Sequence, residues 1–273
     1  AQGGIASVFD PNDTFEEHIE DTLKGGVGLC YRDAVEVIVK EGPDCIRDLT
    51  RWGVGFTTKK NSNIFDLARE GGHTKKRIVH AMDKTGNAVE KALLEAVRKH
   101  PNINLLENCT AAELITEHHL TGGGRTRQNT TPHCWGAYAH NGDAGTVDVF
   151  QAQVTLLATG GAGQVYLHTS NPSIATGDGI AMAYRAGAAV ANMEFIQFHP
   201  TTLYHPRGES FLISEAVRGF GGRLLNSAGN EFMKQHPSMG DLAPRDVVAR
   251  AIDSEIKKSG APHVYLDVTH FPR

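Results

Sequence analysis

Side chains able to do chemistry collect in three short runs late in the 273-residue chain. Phe198-His199-Pro200-Thr201 sets a hydroxyl two residues after an imidazole. Ser214-Glu215-Ala216-Val217-Arg218-Gly219 offers a hydroxyl, a carboxylate and a guanidinium. Leu242-Ala243-Pro244-Arg245-Asp246 adds another guanidinium. Arginine clamps carboxylates through a planar fork, and neutral donors add orientation. Together these groups suit a small dicarboxylate. Each run also has a plainer reading. A lone histidine is often a packed residue. Ser214 and Glu215 read as a helix cap with first-turn charge, Pro244 suits a first helical turn, and Arg245 can pair with Asp246 in solvent. Three glycine-dense segments accompany them, Ala1 to Gly4, Glu70 to His73 and Thr159 to Gly163. Glycine lets backbone approach a ligand closely. A strand ending in Gly-Gly, as at Leu156 to Gly161, resembles a dinucleotide crevice at the carboxyl edge of a sheet, or a plain turn. No G-x-G-x-x-G fingerprint follows a first strand.

The elements that must position these groups follow from pattern. Thr14 with Glu17 three residues on predicts a capping box and a helix to about Lys24. Helical spacing predicts two short helices over Asp33 to Val39 and Asp44 to Trp52, and a longer one over Thr85 to His100, ended by Pro101. Ile103 to Leu106 and Ala111 to Thr116 read as strands. Trp135 to Ala139 and Val147 to Phe150 read as an antiparallel meander turning at Asn141-Gly142. His119 to Pro132 reads as a loop. Val154 to Ala158 is a buried-type strand, Asp178 to Ala186 a helix and Ala189 to Glu194 a strand. Composition shifts after Glu194, which predicts a domain boundary there, dividing the chain into 1–194 and 195–273. The start at Ala1-Gln2-Gly3-Gly4 and the stop just after Leu266-Asp267-Val268 suggest a fragment cut inside a domain.

Composition narrows the function. Apolar residues make up 40% and charged residues 21%, an ordinary globular balance. The formal charge of −4 carries no basic footprint for nucleic acid or an anionic membrane. No apolar run is long enough to span a bilayer, and no signal peptide is visible. The cysteines are Cys30, Cys45, Cys109 and Cys134. None forms a CxxC pair or stands at zinc-ligand spacing, so no metal is expected, and they read as reduced thiols of a cytoplasmic protein.

Six blocks occur in one order: AQGGIASV, REGGHTKKRIVHAMDKTG, LLATGGAGQVYLHTSNPSIATGDGIAMAYRAGA, MEFIQFHPTTLYHP, SEAVRGFGGRLLN and LAPRDVVARAI. This series resembles the succinate dehydrogenase/fumarate reductase flavoprotein family. REGGH and the Tyr-His-Pro after the HPT motif are most similar to its aspartate-oxidising branch. The resemblance implies an α/β fold, a Rossmann-like FAD-binding domain that lacks its first βαβ unit, with the start of an α+β capping domain. It implies FAD as cofactor, with Ala1, Gln2, Gly3, Gly4, Thr110, Ala111, Thr159, Gly160, Gly161 and Asp178 beside it. It implies a dicarboxylate site of His199, Thr201, Ser214, Glu215 and Arg245, with Glu70 orienting the substrate amine. His199, Glu70 and Arg245 would be the catalytic residues.

The implied reaction is oxidation of L-aspartate to iminoaspartate, the first step of de novo NAD biosynthesis. Oxygen or fumarate would accept the electrons, and quinolinate synthase would take up the product. A second reading is the flavoprotein subunit of a succinate dehydrogenase or fumarate reductase. A third takes the chain alone as a non-catalytic piece that binds FAD weakly. Two local departures stand out. Ser214 replaces the family's usual Thr and keeps the hydroxyl. Phe220 stands in RGFGG, where the family commonly has RGEGG.

Overall fold

The computed structural model describes residues 3–82, 84–117, 133–206, 210–235 and 240–272. In chain order the elements are β1 (Ile5–Ala6), α1 (Phe15–Gly25), α2 (Arg32–Arg51), β2 (Ile78–Val79), α3 (Thr85–Lys99), β3 (Cys109–Ile115), β4 (Gly136–Asn141) and β5 (Thr146–Gln151). They continue with α4 (Asp178–Arg185), β6 (Thr202–Leu203), β7 (Phe211–Leu212), α5 (Glu215–Gly219), β8 (Arg223–Leu225), α6 (Arg245–Ser259) and β9 (Tyr265–Asp267). The chain forms two compact units. One gathers 1–104, 198–204 and 212–273. The other holds 105–197 and 205–211.

In the first unit, α1 starts at Thr14 with half of the expected capping box, because the Thr14 N–H donates to Asp13 Oδ1 at 2.9 Å rather than to Glu17. Thr14 Oγ1 accepts from the Glu17 N–H at 3.1 Å, and Glu17 Oε2 lies 3.3 Å from the same hydroxyl. Buried Ile19 packs on Val35 and Val39 of α2. The two helices expected over 33–39 and 44–52 are one, running unbroken through Pro43. A proline inside a helix costs roughly 3 kcal/mol through its missing N–H and its clash with the preceding turn. Val35, Val39, Pro43 and Ile46 are all buried at helical spacing. Each large aliphatic among them contributes about 1.5–3 kcal/mol, so the shared stripe outweighs the break. Ile46 continues into a cluster with Val54, Phe56 and Val79, and β1 pairs antiparallel with β2 beside it. A further cluster of Leu224, Phe232, Met233, Ala243, Val248 and Ala251 seats α6 against β8, itself antiparallel to β9.

The second unit is built on the meander β3-β4-β5, antiparallel throughout, with Asn141 opposite Thr146 at the predicted turn. A β-bulge interrupts β3 between Ala111 and Glu113. Arg185, in the last turn of α4, pairs with Glu113 and donates to the Ala112 carbonyl at 3.1 Å. The strand pairs β1–β2, β3–β4, β4–β5 and β8–β9 are all antiparallel, so the parallel sheet of the expected Rossmann-like fold is not among them.

Three expected strands are irregular. Ile103 to Leu106, Val154 to Ala158 and Ala189 to Glu194 form no ladder. Val154 and Leu156 are 84% and 87% exposed. A strand is completed by hydrogen bonds to a neighbour, and among the described residues these runs have none. The His119 to Pro132 loop lies outside the described residues.

Candidate functional site

The runs picked out by residue type converge in the first unit, although 175 positions separate Glu70 from Arg245. Pro244 is the N-cap of α6 and Arg245 its first residue. Arg245 Nε donates to Glu215 Oε2 at 2.8 Å, and its Nη2 lies 3.7 Å from Glu70 Oε2. The solvated pairing with Asp246 is not formed, because Asp246 pairs one turn along with Arg250 at 2.7 Å. Glu215 is the first residue of α5, and its other oxygen accepts from the Gly71 N–H at 3.2 Å.

Only glycine permits that last contact. A β-carbon on Gly71 would stand 2.7 Å from Glu215 Oε1. Gly3 also lies near Glu70, where an added β-carbon would come within 3.7 Å of Oε1. Ser214 caps α5 by accepting from the Ala216 N–H at 3.3 Å, so the cap reading of its hydroxyl holds. His199 is held through Nδ1, which lies 3.3 Å from Thr201 N and 3.2 Å from Thr201 O. Buried Thr201 donates its hydroxyl to the Ile213 carbonyl at 3.1 Å.

The electrostatics follow from this packing. Burial pushes the Glu215 carboxyl up, but Arg245, Arg218 and the Gly71 N–H outweigh it and hold the carboxyl below its usual range. Burial first, and then the Arg245 charge, push His199 down, so its imidazole is neutral near pH 7.

Arg218, the guanidinium of the Ser214 to Gly219 run, is not among the site residues that the family resemblance implies, yet it belongs to the cluster. It is 1% exposed and lies one helical turn after Glu215, with Nη2 3.7 Å from Glu215 Oε2. Its Nη1 donates to the Asp241 carbonyl at 2.5 Å, while Nε and Nη2 have no hydrogen-bond partner among the described residues. Burial lowers its affinity for a proton. The signal was present in the i, i+3 spacing of Glu215 and Arg218. Glu215 therefore sits between two guanidiniums, and the cluster can bind an anion through Arg245 and a cation through Glu70.

The expected cofactor residues fall in both units. Gly3 and Gly4 belong to the first, and Ala1 and Gln2 lie outside the described residues. In the second unit Thr110 and Ala111 lie on β3 opposite His140 and Ala139. Thr159 and Gly160 line an open concavity of about 460 Å³ together with Gly179, Ile180 and Met193. The Gly161 carbonyl accepts from the Gly177 N–H at 3.1 Å. Asp178 opens α4 and accepts from the Thr176 hydroxyl at 2.9 Å.

Thr159 reaches so close to the helix that a β-carbon on Gly179 would stand 1.7 Å from its Oγ1. At Gly160, with φ +74°, and at Gly161 an added β-carbon would meet nothing within 4 Å. Bare backbone facing open space beside a helix N-terminus suits the close approach of a nucleotide cofactor, so these residues fit FAD. Among the described residues no group of three or more His, Cys, Asp or Glu could hold a metal ion. No described helix is long and apolar enough to cross a membrane.

The FAD binding domain family matches residues 1–273, and the chain belongs to that family of flavoproteins. It is 54% identical over 271 residues to L-aspartate oxidase 1 of Ralstonia nicotianae, covering 99% of this chain and 50% of that protein. It is 50% identical over 278 residues to L-aspartate oxidase of Pseudomonas aeruginosa, covering 100% and 50%. Among solved structures, an E. coli quinol fumarate reductase superposes with a TM-score of 0.87 at 31% identity, over 100% of this chain and 47% of that one. The chain thus spans about half the length of the curated relatives it matches.

Proposed function

We propose that the protein carrying this chain oxidises L-aspartate to iminoaspartate as the first step of de novo NAD biosynthesis. The observation that carries the reading is the carboxylate of Glu70 beside the guanidinium of Arg245, 3.7 Å away. A zwitterionic amino acid needs both signs of charge at one end of a site, and succinate, with no amine, needs only cations. Arg245 takes a substrate carboxylate, Glu70 accepts from the α-ammonium, and His199, near enough to feel the Arg245 charge, joins them with Thr201 as an uncharged group. Glu215 holds Arg245 in place from behind, and Arg218 supports Glu215. FAD, when bound by Gly3, Gly4, Thr110, Ala111, Thr159 to Gly161 and Asp178, supplies the acceptor for the hydride leaving Cα.

In this reading 1–194 belong to the FAD-binding domain and 195–273 to the capping domain. The protein works in the cytoplasm, oxygen or fumarate reoxidises it, and quinolinate synthase takes up the product. The curated relatives named L-aspartate oxidase favour this reading. The similarity to quinol fumarate reductase favours the second one, a flavoprotein subunit acting on succinate and fumarate.

The test is steady-state kinetics with a dye acceptor on the complete protein and on Glu70→Gln. Aspartate turnover above succinate turnover is expected. Glu70→Gln should reduce aspartate use by about ten- to a hundredfold, the value of a charge-assisted contact, and fumarate reduction much less. Succinate turnover equal to or above that of aspartate would sink the assignment.

A further inference from the structure

We propose that the buried Arg77–Asp13–Asp21 cluster is a positioning device for Glu70 and so helps the site select substrates that carry an amine. The proposal rests on Glu70 being the ammonium partner. The Arg77 side chain is fully buried. It binds Asp13 through both oxygens, Nε to Oδ2 at 2.8 Å and Nη2 to Oδ1 at 2.7 Å. Its Nη1 donates to Asp21 Oδ2 at 2.6 Å and lies 3.5 Å from His73 Nδ1.

The same Asp21 oxygen accepts from the Thr74 N–H and the Thr74 hydroxyl, both at 2.8 Å. Thr74 ends the short segment that Glu70 begins. The other end is pinned where the Gly71 N–H donates to Glu215, and the His73 N–H closes the turn on the Glu70 carbonyl at 3.4 Å. Glu70 thus hangs on a turn fixed on one side to the Arg245 partner and on the other to helix α1.

The cluster is an unusual thing to bury for stability alone. One guanidinium faces two carboxylates, and burial leaves its neighbours His18 and His73 neutral near pH 7. A buried ion cluster often stabilises no more than apolar side chains of the same volume would. What it provides is direction, because a bidentate arginine fixes the angle of what it holds. Here that direction passes through Asp21 to Thr74 and the Glu70 turn.

The test uses the complete flavoprotein with Thr74→Val, Thr74→Ser, Asp21→Asn, Glu70→Gln and the double variant Asp21→Asn/Glu70→Gln. KM and kcat are read for aspartate oxidation and for fumarate reduction, corrected for flavin content. Thr74 is exposed, so Thr74→Val keeps the fold and decides the matter even where Asp21→Asn does not fold. Losing one hydrogen bond to Asp21 should raise the aspartate KM about threefold in Thr74→Val, and losing the charge about tenfold in Asp21→Asn. Fumarate constants should stay within about twofold, since fumarate has no ammonium to misplace. Thr74→Ser should restore the wild-type KM, and the double variant should be no worse than Glu70→Gln.

Equal losses on the two substrates, an unchanged aspartate KM in Thr74→Val, or additive losses in the double variant would overturn the positioning role. If Glu70→Gln is selective for aspartate while the Asp21 and Thr74 variants are not, this proposal alone falls. If Glu70→Gln itself affects both substrates equally, the ammonium reading falls and takes this proposal with it.

Discussion

Gly71→Ala probes the contact on which the site turns. The added methyl would stand 2.7 Å from Glu215 Oε1, closer than β-carbons come to other atoms, so one of the two must move. The turn is backbone, closed on Glu70 and pinned through Thr74, and the carboxylate is the end of a side chain. The carboxylate should therefore move, and the bond from the Gly71 N–H should be lost. At 3.2 Å it is at the long end of the range for such bonds. Its worth is thus near the lower bound for a charged acceptor, about 1.5 kcal/mol. At about 1.4 kcal/mol per factor of ten, kcat/KM should fall by roughly tenfold. If Glu215 also swings away from Arg245, the second bond at 2.8 Å goes too, and the fall should approach a hundredfold.

Both aspartate oxidation and fumarate reduction should suffer in Gly71→Ala, because both substrates present a carboxylate to Arg245. Gly72→Ala is the control. Gly72 has φ +83° and an added β-carbon would touch nothing within 4 Å. It should cost about 1 kcal/mol of stability through backbone strain and leave kcat/KM per folded, flavin-loaded molecule unchanged. Wild-type kinetics on both substrates in Gly71→Ala, with the Tm unchanged, would refute the reasoning that Glu215 is held by this backbone.

Arg245→Lys keeps the charge and loses the planar fork that meets Glu215 while facing substrate. It should damage aspartate oxidation and fumarate reduction alike, and unequal losses in steady-state kinetics would argue against a shared carboxylate clamp. His18 gives a pH prediction. Burial, then the charges of Arg77 and His73, lower its pKa from 6.5 to about 4. The unfolded chain therefore binds a proton there that the folded protein refuses. Stability should fall as pH drops from about 6.5 to about 4, by about 3 kcal/mol from this group. Urea midpoints across that range should fall less steeply in His18→Gln, and an identical slope would show that His18 is not the group responsible.

Much of the local structure was legible in the sequence. Thr14 and Glu17 set the start of α1 because an N-cap needs only four neighbouring residues. Helical spacing placed α3, and the meander around Asn141-Gly142 placed β4 and β5 within one or two residues. The order of the glycine and arginine motifs identified the family, since six blocks in sequence carry more information than any one contact. Tertiary structure decided the rest. Helix α2 runs through Pro43 because apolar partners bury both halves as one stripe, which no window of α2 alone contains. The apolar runs at Val154 and Ala189 lack ladders because pairing depends on a neighbour rather than on propensity. The chemistry depended on the fold most of all. Gly71 and Glu215 are 144 residues apart and meet only because a glycine leaves room for a carboxylate. Spacing offered Arg218 as a guanidinium near Glu215, but only the fold shows that it is buried beside that carboxylate. Hydrogen bonds and charge pairs act over a few ångströms of space, and sequence spacing records that distance only within a turn or a helix.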